Sequence, residues 1–289
     1  MQIKAGLQAY EKNKGLPKQS EEDVKNRIYD YTFKFDENTY KYLDGKDVGR
    51  YFISWNGLFL KYGDNLAAPR TFDLFSDEKI IIREITGKYP RSIISTFNSD
   101  IYLYNRSNIG IVKKESKEIN LKYISTVLNS SLMSYYFINN TAKAVRQMFP
   151  KIILQDLRQF PFKKISLREQ EPFIQKADLM LELNKKLQET KQNFYGELKL
   201  EKLTNKLQKF EELEFDDFIK EYTKSKKIKF ADKLEERNFK NDWKALFEND
   251  KKEVLEIQNQ IKITDKEIDQ MVYKLYDLTE DEIKIVENN

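Results

Sequence analysis

Two residue types that enzymes commonly rely on are missing from this 289-residue chain, which contains no cysteine and no histidine. Without cysteine there are no disulfides, zinc–thiolate sites or thiol nucleophiles. Without histidine the commonest general base and the commonest metal ligand are gone. No apolar run approaches the ~20 residues of a membrane span, and the first residues lack the apolar core of a secretory signal. We therefore expect a soluble cytoplasmic protein.

Several catalytic and cofactor-binding motifs are also missing. The sequence has neither G-x-G-x-x-G nor a Walker A loop, so it shows no cradle for a nucleotide or for S-adenosylmethionine. It has no NPPY-type sequence, which an adenine amino-methyltransferase needs, and no Pro-Asp dipeptide, with which a PD-(D/E)xK nuclease core begins. Acidic pairs such as Asp216-Asp217 lie in charge-rich helical stretches and are interpreted as a solvated face. The sequence therefore predicts no catalytic residue and no metal site.

Proline and glycine are scarce and unevenly placed. None of the six prolines lies beyond Pro172, and eight of the nine glycines precede residue 166. Charge divides at the same place: residues 1–165 hold 27 Lys and Arg against 18 Asp and Glu, and residues 166–289 hold 24 against 29. Such a division indicates two parts with different roles, which we place at 1–165, with 1–30 as an entry segment, and 166–289.

The first part has the pattern of a mixed α/β domain. Turn residues separate short runs rich in aromatic and β-branched residues, which are typical of strands: 51–55, 58–62, 79–85, 92–97, 101–105 and 109–114. The segment 120–140 has helical spacing and a length that suits a helix. Strands interleaved with one or two helices predict a globular α+β domain.

The second part predicts a long antiparallel pair of helices that resembles a coiled coil. Ser166 and Glu169 fit a capping box at the start of the first helix, and Pro172 falls where its missing N–H costs little. Its seam runs through Phe173, Ala177, Met180, Asn184, Leu187, Lys191, Phe194 and Leu198. The second helix carries a heptad-type seam in which Thr264 lies among apolar positions. We predict that these apolar positions hold and dock the pair: Val254, Ile257, Ile261, Ile268, Met271 and Leu275.

Between the long helices, residues 205–250 predict a small helical insertion. Apolar residues at 213–222 favour a short helix, and Phe239, Trp243 and Phe247 favour another amphipathic helix. Near the end, Thr279 and Glu282 form a second capping box, which predicts a short final helix.

With no catalytic pattern, the basic first part favours binding. Cations neutralise phosphates, and arginine reads guanine bidentately in the major groove. Two other classes stay open. The chain could be a protein-interaction scaffold whose basic half is incidental, which salt-dependent binding to duplex DNA would contradict. It could also be an enzyme with an unrecognised site, which modification of DNA by this chain with cofactor would reveal.

Four stretches resemble the C-terminal target-recognition (TaqI-like specificity) domain and helical spacer of type IIG restriction–modification enzymes. The first resembles the entry into that domain, the second its body, the third its end with the first spacer helix, and the fourth the C-terminal signature of these enzymes: 3–24, 45–87, 149–187 and 267–287. The resemblance spans nearly the whole chain in the order of the family.

The resemblance implies a division of labour. The recognition domain reads double-stranded DNA, and the helices fix distances and dock an adenine-type amino-methyltransferase and a nuclease supplied elsewhere. The chain is then a fragment or a separately encoded specificity subunit of a prokaryotic restriction–modification system. It needs no cofactor itself, because S-adenosylmethionine and Mg²⁺ belong to the catalytic parts.

The same resemblance makes eleven basic residues candidates for DNA contact: Arg50, Lys61, Arg70, Arg83, Lys88, Arg91, Arg106, Lys113, Lys143, Arg146 and Lys151. Arg83 has two interpretations, since it either pairs with an acid such as Glu84 or aims its guanidinium at a base edge. Lys88 and Arg91 flank Tyr89-Pro90 in a turn, which presents side chains outward. Lys151 lies in FPKIILQDLRQFPF, the proline-bracketed stretch at the end of the recognition domain.

Overall fold

The computed structural model describes residues 1–113, 118–141 and 150–288. By packing, the chain divides into two units. The mixed unit comprises Met1–Leu181 and Asp265–Asn289, and the helical unit comprises Glu182–Thr264. These units are defined by packing alone, so the functional boundary expected at residue 165 stays a prediction.

The strands of the described chain all lie in the mixed unit. They are β1 Gln2–Ala5, β2 Asp30–Tyr31, β3 Thr39–Leu43, β4 Val48–Gly49, β5 Phe52–Ile53, β6 Phe59–Lys61, β7 Lys79–Arg83, β8 Ser95–Asn98, β9 Leu103–Tyr104 and β10 Asn108–Val112. One four-stranded antiparallel sheet has the order β1-β10-β7-β8. A second has the order β2-β6-β3-β9, with β3 and β9 parallel, and β4 pairs with β5. The six strands predicted from sequence are confirmed.

Strand β7 is central and buried on both faces. Ile80, Ile81 and Ile82 are fully inaccessible to solvent. Ile81 belongs to a core cluster with Leu74 and Tyr104. An interior strand needs apolar residues on both faces, which explains its continuous run of isoleucines.

The helices are α1 Glu21–Asn26, α2 Asp73–Ser76, α3 Leu121–Leu128, α4 Ser131–Asn140, α5 Leu154–Gln159, α6 Leu167–Leu198, α7 Phe215–Lys226, α8 Lys233–Leu275 and α9 Glu280–Glu287. The predicted capping boxes are present: Glu169 N donates to Ser166 Oγ, and Glu282 N donates to Thr279 Oγ1. The segment 120–140 forms two helices, since Asn129 ends α3 and Ser130 caps α4.

The long helices α6 and α8 are antiparallel, as predicted. In the mixed unit Lys176 of α6 pairs with Glu267 of α8 at 2.6 Å, and in the helical unit Lys186 pairs with Glu253 at 3.2 Å. From the first pair to the second, the residue number rises on α6 and falls on α8. The two helices therefore run in opposite directions. The α+β class, with a mixed domain and an antiparallel helical pair, is confirmed.

The buried stripe on α8 departs from the predicted heptad seam toward its end. Val254, Ile257 and Ile268 are buried, and Ile261 is half-buried. Met271 and Leu275 are only half-buried, whereas Val272 is fully buried. An α-helix has 3.6 residues per turn, so a seam of period 3.5 drifts by about 20° per heptad on a straight helix.

The helical insertion is built differently from its prediction. The helix expected at 213–222 is present as α7, but Phe239, Trp243 and Phe247 belong to the first turns of α8 itself. No glycine or proline interrupts residues 233–275, so nothing ends the helix there. Aromatic side chains fill the core of the helical unit: Phe194 stacks on Phe210 at 3.9 Å, and Phe218 on Phe247 at 4.6 Å, measured between ring centroids.

No helix among the described residues is long and apolar enough to cross a membrane.

Lys79, at the start of β7, is a buried cation that no sequence pattern predicts. Its Nζ donates to the backbone carbonyls of Asp100 at 2.6 Å and Asp77 at 3.1 Å. Burial lowers the pKa of Lys79 to about 8, against the opposing charges of the Asp100 and Asp77 side chains. The charged ammonium is therefore less favourable in the folded chain than in water.

We expect the stability of the chain to rise with pH because of Lys79. Between about pH 8 and the ordinary lysine pKa near 10.4, the unfolded chain binds a proton that the folded chain has lost. Raising the pH from 7 to 10 should therefore add about 2 kcal/mol to the free energy of unfolding, relative to a Lys79→Met variant. Urea unfolding of both proteins at both pH values measures this. If the free energies of unfolding of the two proteins differ by the same amount at pH 7 and at pH 10, Lys79 does not titrate as described.

Candidate nucleic-acid interface

One end of the β1-β10-β7-β8 sheet brings several of the predicted DNA contacts together. The register aligns Ala5 with Ile109, and Asn108 with Arg83, so the end of β1, the start of β10 and the end of β7 lie side by side. We call this the Arg83 end of the sheet. The predicted contacts that lie in or beside its loops are Arg70, Arg83, Lys88, Arg106 and Lys151.

Arg106 lies at the tip of a rigid turn between β9 and β10. The Asn105 side chain holds the turn, because its Oδ1 accepts from Ser107 N at 3.0 Å and its Nδ2 donates to Asp44 Oδ1 at 2.7 Å. Gly6 packs so closely that an added Cβ would lie 2.2 Å from Asn105 O. The Arg106 side chain is exposed and donates to the neutral Gln8 amide at 2.8 Å. The turn therefore presents an arginine whose charge this contact does not neutralise.

The acid pair that one interpretation assigned to Arg83 is not formed with any residue that the structure describes. Glu84 instead pairs with Lys151, at 3.3 Å between Oε2 and Nζ. Within the described chain, the half-buried Arg83 side chain has no ion-pair partner. Lys88, in the following turn, is exposed. These two cations stay available for an external anion, whereas Lys151 shares its charge with Glu84.

Arg70 borders the same end through backbone carbonyls. Its Nε donates to the carbonyls of Ala5 and Gly6, both at 3.2 Å, and its side chain is otherwise exposed. The backbone of Arg70 has a φ of 67°, a conformation that non-glycine residues rarely adopt. Its carbonyl accepts from Tyr62 Oη at 2.7 Å, which helps to hold that conformation.

Arg50 and Arg91, also predicted to contact DNA, are engaged within the protein. Arg50 pairs with Asp265 at 2.6 Å, and Arg91 pairs with Asp269 at 2.7 Å. Their side chains are 18% and 22% exposed. Burial lowers the pKa of the Arg91 guanidinium, but the hydrogen bond and charge of Asp269 outweigh burial and raise it, so Arg91 stays cationic. Direct DNA contact by either arginine stays a prediction that these pairs make less favourable.

The other predicted contacts lie elsewhere. Lys61 pairs with Asp36 at 2.9 Å on the second sheet. Lys113 is exposed just after β10, at the end of the first sheet opposite Arg83. Lys143 and Arg146 lie outside the described residues.

Arg158, which is not among the predicted contacts, belongs with the Arg83 end. It lies exposed on α5 and lines one concavity with Arg106, Ser107 and Ile152. Among the described residues it has no ion-pair partner. Its neighbour Leu157 was the sequence signal for this exposure. Successive residues of a helix point in different directions, so when Leu157 of α5 is buried, Arg158 points toward solvent.

The interface holds no evident metal site. In the ranges that the structure describes, no three Asp or Glu side chains are grouped so that they could hold a metal ion. What the Arg83 end offers is a set of guanidinium and ammonium groups on a rigid sheet, which suits phosphate oxygens and guanine edges.

Comparison with known proteins bears on the same residues. Residues 40–162 match the family described as the TaqI-like C-terminal specificity domain. The chain contains a TaqI-like specificity domain. This specificity domain includes most of the Arg83 end, and the resemblance of this part of the chain to a TaqI-like specificity domain is confirmed. Residues 166–272 match a second family, a domain of unknown function, DUF8810.

A related protein is a putative type II restriction enzyme and methyltransferase of Methanocaldococcus jannaschii, 29% identical over 178 residues. The match covers 54% of this chain and 14% of that protein, so it spans a small part of the relative's length. Among solved structures, the type IIL restriction–modification enzyme MmeI in complex with DNA matches 64% of this chain and 28% of its own, with a TM-score of 0.45 and 9% identity.

Proposed function

We propose that the specificity domain recognises a duplex DNA sequence through the Arg83 end of its sheet, as the specificity part of a restriction–modification enzyme. One observation carries the proposal: Arg83, Lys88 and Arg106 converge on one sheet end within a TaqI-like specificity domain, with no acid partner among the described residues. Unpaired cations on a rigid edge suit an anionic partner, and the family match favours DNA.

The cations of this end have two roles in the proposal. Arg106 and Arg83 start from rigid backbone, a turn and a strand end, and are the candidates for reading bases. Lys88, Arg70 and Arg158 are candidates for phosphate contact, since a phosphate needs charge rather than exact geometry. Phosphate contacts position the protein on the duplex, and base contacts specify the sequence.

The helical pair α6 and α8 docks the catalytic parts. An adenine-type amino-methyltransferase and a nuclease, in other regions of the enzyme or in a separate subunit, supply the chemistry. S-adenosylmethionine and Mg²⁺ belong to those parts, and this chain by itself neither methylates nor cleaves. In this arrangement the enzyme is similar to type IIG restriction–modification enzymes, in which one specificity region serves both activities.

Salt-dependent binding of duplex DNA tests the function. We expect the full chain to bind random-sequence duplex at low salt, with log affinity falling linearly with log salt concentration. Neutralising Lys88 to Gln should weaken binding to every sequence and reduce the magnitude of that slope by about 1, because one fewer counterion is released. Fluorescence anisotropy with a labelled duplex, over a series of salt concentrations, measures both quantities.

Lys113→Gln is the matched control, because it removes the same charge at the opposite end of the sheet. It should leave the slope unchanged. Equal effects of Lys88→Gln and Lys113→Gln would show that the Arg83 end is not the interface. If the wild-type chain binds no duplex even at low salt, the scaffold alternative is favoured over DNA recognition.

A further inference from the structure

The loop between β7 and β8, residues 84–94, is anchored to its surroundings on several sides. Thr86 N donates to Pro150 O at 3.0 Å, and Ser92 N donates to Ser134 Oγ of helix α4 at 3.1 Å. Tyr89 Oη donates to the carbonyl of Val286 in α9. These anchors leave Lys88 and Pro90 exposed at the tip. The loop therefore holds one of the proposed DNA contacts in a defined position.

The firmest anchor is Arg91, near the end of this loop. Its two terminal nitrogens form a fork on Asp269 of helix α8, with Nη1–Oδ1 at 2.9 Å and Nη2–Oδ2 at 2.7 Å. Nη1 also donates to Ser131 Oγ at 2.9 Å. Asp269 in turn accepts from Ser131 N and Ser131 Oγ, both at 2.8 Å. The carboxylate of one α8 residue thus joins the loop to the start of α4.

One helical turn earlier, Asp265 repeats the arrangement with Arg50. Arg50 Nη1 and Nη2 reach the two oxygens of Asp265 at 3.0 and 2.6 Å, and Nη2 also donates to Asn129 O at 3.1 Å. Arg91 Nε lies 3.8 Å from Asp265. Two aspartates on one face of α8 therefore neutralise two arginines of the specificity domain.

A contact that served stability alone would not need two arginine–carboxylate pairs. Buried ion pairs contribute little net stability, and apolar residues of similar volume often do as well or better. What two forked Arg–carboxylate pairs provide is orientation, because the planar guanidinium and the carboxylate fit in one geometry. They also remove Arg50 and Arg91 from the pool of cations that would attract any phosphate.

We infer that Asp265 and Asp269 of α8 are positioning residues for DNA recognition. They hold the β7–β8 loop so that its tip meets defined bases or phosphates, and they neutralise two arginines that would otherwise strengthen non-specific binding. This inference rests on the proposed function of the Arg83 end. It gives the C-terminal part of α8 a role in sequence selectivity, in addition to the docking role proposed for the helical pair.

Enrichment of bound sequences from a randomised duplex pool, followed by sequencing, tests the inference on the full chain. The wild-type chain should enrich a motif. Asp269→Asn should relax selectivity by about tenfold at the positions that depend on the loop, which is the scale of one base contact. Its affinity for random duplex should not fall. Arg106→Gln, at a candidate base-reading residue outside the loop, should affect positions in another part of the motif.

Asp277→Asn provides the matched control. It removes the same charge shortly after α8 from a carboxylate that is 81% exposed and paired with Lys163. It should change neither the motif nor the affinity. If Asp269→Asn lowers the unfolding temperature but leaves every position of the motif unchanged, Asp269 has a structural role alone and the inference is overturned.

A second variant covers the case in which Asp269→Asn does not fold. Arg91→Lys keeps the positive charge but cannot form the fork, and it should relax the same positions of the motif. An unchanged motif in Arg91→Lys overturns the inference. If the wild-type chain enriches no motif at all, the proposed function fails instead, and that outcome is distinct because it does not depend on any variant.

Discussion

Replacing Ile268 by Asp is expected to unfold the mixed unit or to leave it barely stable. Ile268 lies on α8 and is completely inaccessible to solvent. Truncating such a side chain costs about 2–5 kcal/mol, and burying a carboxylate without a partner costs several more. Because native domains are stable by only about 5–15 kcal/mol, the loss approaches the whole stability. It should also abolish docking of the methyltransferase under the proposed function.

Trp55 reports on this unfolding. It is one of two tryptophans, and it packs against the core of the mixed unit. Urea unfolding followed by fluorescence in a Trp243→Phe background isolates its signal. Gln270→Asp is the control on the same helix and in the same unit, since Gln270 is exposed and a surface substitution costs within about 0.5 kcal/mol. Equal effects of the two substitutions would contradict the burial described for α8.

The substitution Ile261→Asp separates two interpretations of the helical seam. A strict heptad seam predicts the same loss at Ile261 as at Ile268. In the structure Ile261 is only half-buried, so a carboxylate there can reach water. A clearly smaller loss at Ile261 is therefore expected from the drift of the buried stripe.

Replacing Lys191 by Met is expected to destabilise the helical unit by about 3 kcal/mol. Lys191 is one of the two polar positions in the predicted α6 seam, and it pairs with Glu211 of the helical unit. The Glu211 side chain is only 4% exposed, and its remaining described partner is the Gln258 amide at 2.9 Å. Removing the ammonium leaves a buried carboxylate without a counter-charge, and that desolvation is the source of the cost.

A double-mutant cycle with Glu211→Gln tests this explanation. Glu211→Gln alone should cost less than Lys191→Met, because the Lys191 side chain is 15% exposed and its ammonium can reach water. Combining both substitutions should recover part of the loss, giving a cost well below the sum. Fluorescence of Trp243, which packs in the helical core, follows the unfolding in a Trp55→Phe background. Strict additivity would show that the pair is not coupled.

The strands and the long helices follow from local patterns. Short runs of β-branched and aromatic residues between glycines and prolines became β5 to β10, because these residues pack well on a pleated surface. Six of the eight predicted α6 seam positions between Phe173 and Leu198 are buried, since 3.6-residue periodicity leaves one face apolar, and Leu187 and Lys191 are half-buried. Strands β1 to β4 were not predicted, and β1 is the clearest case. QIKA has little strand signal by itself, and only its partner β10 makes it a strand.

The candidate interface was predicted in part. Arg83, Lys88 and Arg106 were recognised as cations in turns or at a strand end, and the sheet register brings them to one side. Arg50 and Arg91 looked equivalent to them in sequence. Their carboxylate partners lie 215 and 178 residues away along the chain, so no local pattern reveals the pairing.

The stretch FPKIILQDLRQFPF was likewise predicted only in part. Its two prolines predict extended backbone at the residue before each of them, of which Phe149 lies outside the described residues. Between the prolines, Leu154–Gln159 form helix α5, and Ile152 and Leu157 are buried. Sequence made Lys151 a DNA contact, whereas the structure pairs it with Glu84 beside the bridge between Ile85 and Lys151. Arg158, four residues after Leu154, is the exposed cation of this stretch.

By itself, the sequence determined the fold class, the absence of recognisable catalytic motifs, the family of the specificity domain and the helical pair. The family was recognised by resemblance to known sequences. The fold class and the helical pair follow from composition, short motifs and periodicity, which depend on neighbours within a few turns or strands. Only the tertiary structure decided which cations are available and which are neutralised, and which of the apolar α8 positions are buried. An ion pair forms only where segments that are distant along the chain meet in the fold. The burial of a helix position depends on which face of the helix the rest of the chain covers.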